Sequence, residues 1–179
     1  MIARVSKGYA GLVTLIVLLV VLVAGWSQSQ RIADWLRLRG YQRPAEIAAI
    51  VEQTTMTKQG KHLFYINRPA LEDKATFRQN CPDYEATIVI GCYRQGQGGI
   101  HVLKVDDPRL EGVEQVTAAH EMLHAAYDRL TRGERQQIEG WLNDYAKNGL
   151  TDARVKDTLK SYETTEPGQQ TNEMYAIFG

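Results

Sequence analysis

Residues 113–130 read VEQVTAAHEMLHAAYDRL, eighteen positions without a glycine or proline, and they set one long helix at the centre of the fold. Val113, Val116, Ala119, Leu123 and Ala126 recur at helical spacing and are expected to form its buried face. Within it, His120-Glu121-Met122-Leu123-His124 matches the pattern His-Glu-x-x-His. Residues four apart on a helix lie one turn above each other, so both imidazoles can reach one Zn2+ at about 2.0–2.1 Å without bending the backbone. Glu121 projects at the neighbouring angle, beside the metal rather than on it. A general base stands there to take a proton from a water whose pKa zinc lowers to about 7. Ala118, Ala119, Ala125 and Ala126 leave little bulk around the pair. Asp128, one turn past His124, is either a second partner that orients a ligand or a solvated carboxylate near a helix end.

A tetrahedral catalytic zinc needs a third protein ligand and leaves its fourth position to water. His62 and His101 fall in segments that read as strands, and no histidine follows His124. The third ligand is therefore expected to be acidic, with Glu163, Glu166 and Glu173 as downstream candidates. Glu173 is the best placed, because residues 172–176, NEMYA, start a helix that can hold a carboxylate rigidly opposite the first. Between the two motifs, Thr131 and Glu134 have the spacing of a capping box that opens one helix. Further helical patterns run from about Thr151 to Glu163 and from about Thr171 to Phe178, the latter introduced by the loop PGQQ at 167–170.

On these residues the chain resembles the gluzincin clan of zinc peptidases, in which a His-Glu-x-x-His helix is joined by a glutamate on a later helix, often preceded by asparagine. It also resembles small, largely uncharacterised bacterial membrane-anchored proteins of metallopeptidase type that carry the run HEMLHAAYD, here 120–128, and a later Asn-Glu. The resemblance covers about residues 100–179. It implies a zincin-like fold of the minigluzincin kind, zinc on His120, His124 and Glu173, catalysis by Glu121, and Asn172 in support. In that clan an edge strand pairs with the extended substrate backbone, and residues 100–105, IHVLKV, are either that strand or an internal one. Tyr162 is a candidate donor to the oxyanion of a tetrahedral intermediate, as are Tyr127 and Tyr175, with core packing as the alternative role for each.

Upstream of the central helix, residues 87–93 and 100–105 are rich in β-branched and aromatic side chains and flank the glycine-rich stretch 95–99, a hairpin signal. Residues 61–66, KHLFYI, alternate like another strand, and a polar helix is expected from Ala70 to about Gln79. The expected fold class is α+β: a small antiparallel sheet followed by a helical subdomain. Cys81 and Cys92 flank EATIVIG, and an even pair in an exported domain suggests a disulfide, the alternative being two buried thiols.

Residues 9–26, YAGLVTLIVLLVVLVAGW, carry no charge and follow Arg4 and Lys7. Eighteen helical residues rise about 27 Å against a hydrocarbon thickness of ~30 Å, with Tyr9 and Trp26 at the interfacial positions. A single-pass N-terminal transmembrane helix in the cell membrane is expected, a cleaved signal peptide being the alternative. Either places the remainder outside the cytoplasm, although Arg31, Arg37, Arg39 and Arg43 leave the charge asymmetry undecided. The expected division is an anchor at 1–27, a helical stalk at 28–58 and a metallopeptidase-like domain at 59–179. With 21 basic and 21 acidic residues, scattered rather than clustered, the chain has no field for phosphates, so nucleic acid is not an expected partner. The function expected is zinc-dependent hydrolysis of a peptide or protein substrate. The alternatives are a zinc-stabilised extracytoplasmic binding or sensing domain without turnover, and a metal-free helical scaffold.

Overall fold

In the computed structural model, which describes residues 7–82, 90–96, 99–165 and 167–179, the N-terminal apolar run forms α1 (Lys7–Ser27), followed by α2 (Ser29–Leu38). The hydrophobic side chains from Leu12 to Val23 are each more than half exposed. Among the described residues no single helix is long and apolar enough to cross a membrane. One bent pair, Gly11–Gly25 with Ser29–Leu38 at 51°, passes by length and composition. Gly40 follows α2 at φ 79°, a left-handed turn that glycine adopts without strain. It closes the first of two units, Met1–Gly40; the second is Tyr41–Gly179.

The second unit opens with α3 (Ala45–Gln53) and α4 (Lys58–Ile66). Although expected as stalk, α3 belongs to this unit and buries Ile47, Ile50 and Val51. The strand expected at 61–66 is also corrected, because this segment lies within α4. Thr57 caps that helix by accepting from the Gly60 amide at 3.1 Å, and Leu63, Phe64 and Ile66 are buried at a spacing that suits a helix and breaks a strand's alternation. His62 is thus helical. The start of the helix expected from Ala70 is corrected in the other direction: Ala70–Glu72 form β1, and α5 (Lys74–Asn80) begins only after Asp73, whose carboxylate accepts from the Ala75 and Thr76 amides.

The sheet has the order β1-β3-β2, with β2 at Gly91–Arg94 and β3 at Gly99–Leu103. Residues 83–89, which include the first part of the strand expected at 87–93, lie outside the described residues. The pair β2–β3 is antiparallel, with Cys92 opposite His101, as the hairpin requires. β1 runs parallel to β3, with Ala70 opposite His101, so the sheet is mixed rather than antiparallel. The long connection between them, which includes α5 and β2, leaves room for the crossover that parallel pairing needs. β3 is the middle strand, which decides its role as internal. It enters against Asn67, whose carbonyl accepts from the Ile100 amide at 3.1 Å; a Cβ on Gly99 would lie 1.7 Å from that oxygen.

α6 (Val113–Asp128) packs across β2 and β3, and the chain returns through α7 (Arg132–Asp144) and α8 (Ala153–Thr165) to α9 (Gln170–Phe178), which lies against α6. The capping box forms: Glu134 Oε2 accepts from the Thr131 amide at 2.8 Å. The core is Ile47, Phe64, Ile66, Ile100 and Val102, all at or near zero exposure, each contributing on the order of 1.5–3 kcal/mol of apolar burial. On α6 the buried face differs from expectation. Thr117, Ala118, Glu121, Met122, His124, Ala125 and Tyr127 are buried, whereas Val116 is 71% exposed. The small Ala118 and Ala125 let the helix approach the core, and the polar residues beside them are covered by β2 and α9.

Candidate metal centre

His120 and His124 stand one turn apart on α6, with Glu173 facing them from the first turn of α9. Their ligand atoms lie within 4.8 Å of one another. His124 Nε2 is 3.1 Å from His120 Nε2 and 3.3 Å from Glu173 Oε1, and His120 Nε2 is 3.6 Å from Glu173 Oε2. Three ligands about 2.0–2.1 Å from a tetrahedral ion would stand about 3.3–3.4 Å apart, so two imidazoles and a carboxylate fit the donor set and spacing that Zn2+ takes. Of the alternatives for the third ligand, Glu163 is exposed on α8 and is not among the residues that converge, and Glu166 lies outside the described residues.

One turn of α9 also orients the rings. Asn172 Oδ1 lies 3.0 Å from His124 Nδ1, so that nitrogen donates and the lone pair is left on Nε2, facing Glu173. Burial pulls the His124 pKa down against the opposing charge of Glu173, and the ring is held below its ordinary value. For His120 burial also pulls down, but the hydrogen bond and charge of Glu173, the charge of Glu121 and the Ala176 carbonyl outweigh it and leave the pKa raised. Glu121 and Glu173 are 6% and 5% exposed, deep enough that each needs a counter-charge.

A cleft of about 630 Å³ opens over these residues, bordered by Gly91 and Tyr93 of β2 and by Thr158, Ser161 and Tyr162 of α8. Gly91 packs directly on α6: a Cβ there would lie 2.3 Å from Thr117 Cγ2 and 2.7 Å from Glu121 Oε1. Sequence reasoning missed this contact, although an isolated glycine in a strand-like run is a signal of close backbone approach. Asp128 lines the cleft and pairs with Arg135 at 3.6 Å rather than with a histidine nitrogen. Of the three tyrosines, Tyr162 lines the cleft. Tyr127 instead donates to Glu139 at 2.9 Å, burial and that bond pushing its pKa up to about 12. Tyr175 packs its ring on Tyr127 at 5.4 Å.

The remaining histidine of the sheet, His101, is engaged elsewhere: its Nδ1 is 2.8 Å from Glu72 Oε1, which also accepts from Asn80 at 2.8 Å. Cys81 and Cys92 are bridged, with Cα atoms 6.2 Å apart, tying the end of α5 to β2 one residue from Gly91. No family model, curated protein or solved structure matches the chain.

Proposed function

We propose that the chain is a membrane-anchored, zinc-dependent peptidase. The observation that carries this is the convergence of His120, His124 and Glu173 on one point, with a further glutamate, Glu121, buried on the same turn of α6 and lining the same cleft. Zinc held by those three residues supplies a Lewis acid for a peptide carbonyl and lowers the pKa of water to about 7. Glu121 accepts the proton of the attacking water and delivers it to the leaving amine. Asn172 and the Ala176 carbonyl hold the imidazoles, and Tyr162, which lines the cleft from α8, is assigned as hydrogen-bond donor to the oxyanion. The resemblance to gluzincins, through His-Glu-x-x-His and a later Asn-Glu, supports the same assignment and a zincin-like fold.

Substrate pairing is assigned to β2, because it borders the cleft at the edge of the sheet while β3 lies in the middle. An extended peptide adds there as a further strand. The uncharged run 9–26 serves as anchor in the cell membrane, and the catalytic domain lies outside the cytoplasm, where a Cys81–Cys92 bridge persists.

Full-length protein in detergent, assayed for zinc content and for cleavage of unfolded casein, tests this reading. The parent and Glu121→Gln should each hold one zinc, His120→Ala and His124→Ala should lose it, and the parent alone should cut. Zinc retained without any cleavage would make it a metal-stabilised binding domain; equal zinc in all four proteins would remove the metal site.

A further inference from the structure

We propose that the cleft selects a positively charged group on its peptide, a Lys or Arg side chain beside the scissile bond, through Asp128 and an acceptor-rich face of α8; this rests on the peptidase reading of the same site. The first observation is charge. Among the described residues, the acidic side chains lining the cleft are Glu121, Glu173 and Asp128, and no Lys or Arg lines it. The two glutamates balance a divalent ion on the histidines, which leaves the Asp128 carboxylate to act on the substrate. Its partner Arg135 is held mainly by other groups. Arg135 donates to the Asp128 carbonyl at 3.0 Å and lies 4.8 Å over the Tyr127 ring, whereas its carboxylate contact is the long one, 3.6 Å. The Asp128 side chain keeps 20% of its surface exposed.

The second observation is hydrogen-bond polarity. Thr158, Ser161 and Thr165 recur at helical spacing on the cleft side of α8. Thr158 Oγ1 donates to the Arg154 carbonyl at 2.9 Å, Ser161 Oγ to the Thr158 carbonyl at 2.7 Å, and Thr165 Oγ1 to the Ser161 carbonyl at 3.1 Å. A hydroxyl has one proton and two lone pairs, so each of these has spent its donor inside the helix and presents only acceptors. A wall of acceptors beside a carboxylate suits a group made of donors, the three of an ammonium or the five of a guanidinium, and repels an acidic side chain.

The test gives zinc-loaded full-length protein a randomised library of acetylated, amidated peptides, reads the cut positions by mass spectrometry, and then compares matched peptides with Lys, Arg, norleucine or Glu at the selected position. Cuts should cluster beside Lys and Arg, with kcat/KM roughly tenfold above norleucine, the size of a hydrogen bond to a charged group, and lower still for Glu. Asp128→Asn should bring Lys and norleucine to within about threefold. Arg135→Gln, which removes the partner and leaves the carboxylate, should keep or widen the preference, so that damage to the fold is told apart from loss of charge. Norleucine peptides with a free amino terminus form a further arm; if they recover the rate, the cation read is the α-ammonium and the same chemistry holds. Cuts spread evenly over residue types, or an Asp128→Asn variant that retains the tenfold preference, would overturn the inference and leave peptide hydrolysis standing. No cleavage of any peptide by the zinc-loaded parent would overturn both.

Discussion

Replacing Gly91 by alanine puts a methyl group into the contact between β2 and α6. The added Cβ would lie 2.3 Å from Thr117 Cγ2 and 2.7 Å from Glu121 Oε1, where ordinary contact begins at 3.4 Å, so α6 and β2 must separate by about 1.1 Å or both side chains must turn. β2 is not free to retreat, because the next residue, Cys92, is bridged to Cys81 and paired with His101 in the sheet. The Thr117 methyl and the Glu121 carboxylate are therefore the groups that give way. Overpacking of this kind costs about 1–3 kcal/mol of stability. A displacement near 1 Å at a catalytic group costs about 10²-fold in rate. The three atoms nearest the new methyl belong to Thr117 and Glu121 and none to His120, His124 or Glu173, so zinc content should stay at the parent value while kcat falls about a hundredfold. Zinc stoichiometry, thermal unfolding and casein turnover on the same preparation measure all three. Should Gly91→Ala turn over at the parent rate with parent stability, β2 does not press on Glu121 and the positioning argument is wrong.

Glu121→Gln and Glu173→Gln share a chemistry but should differ in effect. The first should keep zinc and lose at least ~10²-fold in turnover, and the second should weaken zinc binding with activity partly restored at high zinc, as competition with a chromogenic chelator would show. Asn172→Ala removes the acceptor at His124 Nδ1 and should weaken zinc by roughly 10–100-fold with a smaller effect on kcat at saturating metal; unchanged affinity would mean that the 3.0 Å contact does not orient the ring. Chelation should lower the thermal midpoint of the parent but not that of His120→Ala, since binding free energy at a buried site adds to folding. Replacing both Cys81 and Cys92 by serine opens a bridge across a sequence separation of 11, worth about 3 kcal/mol in the chain-entropy model, and denaturant unfolding with no shift in midpoint would contradict it.

What could be read in the sequence was what local rules determine. The capping box at Thr131 and Glu134 and the helix expected over 113–130 rest on spacings within one element; the box forms, and the helix forms over Val113–Asp128, two residues shorter. The segment KHLFYI fits a period of two as well as a helix, and the deciding signal lay outside it, in Thr57 as cap. The parallel pairing of β1 with β3 joins residues about thirty positions apart, and no local pattern encodes strand direction over that distance.

The site was legible where its chemistry is demanding. Two histidines four apart suit a metal ion, such an ion would need a third ligand, and Glu173, the candidate that begins a helix, brings its carboxylate within 4.8 Å of both rings' ligand atoms. The buried face of α6 misled for a related reason. Counting apolar residues favours Val113, Val116 and Ala119, yet the side of the helix that burial covers includes Thr117, Glu121 and His124. Burying polar groups costs free energy unless a partner compensates. A polar face turned inward on a helix with an apolar alternative therefore points to a compensating group, and here that group is α9, which brings one carboxylate, one amide oxygen and one backbone carbonyl to the two rings within five residues. An ordinary core helix has no need of such an opposing turn. A helix built to hold a cation between two imidazoles would, because the carboxylate would balance the charge while the Asn172 amide oxygen orients His124 and the Ala176 carbonyl orients His120.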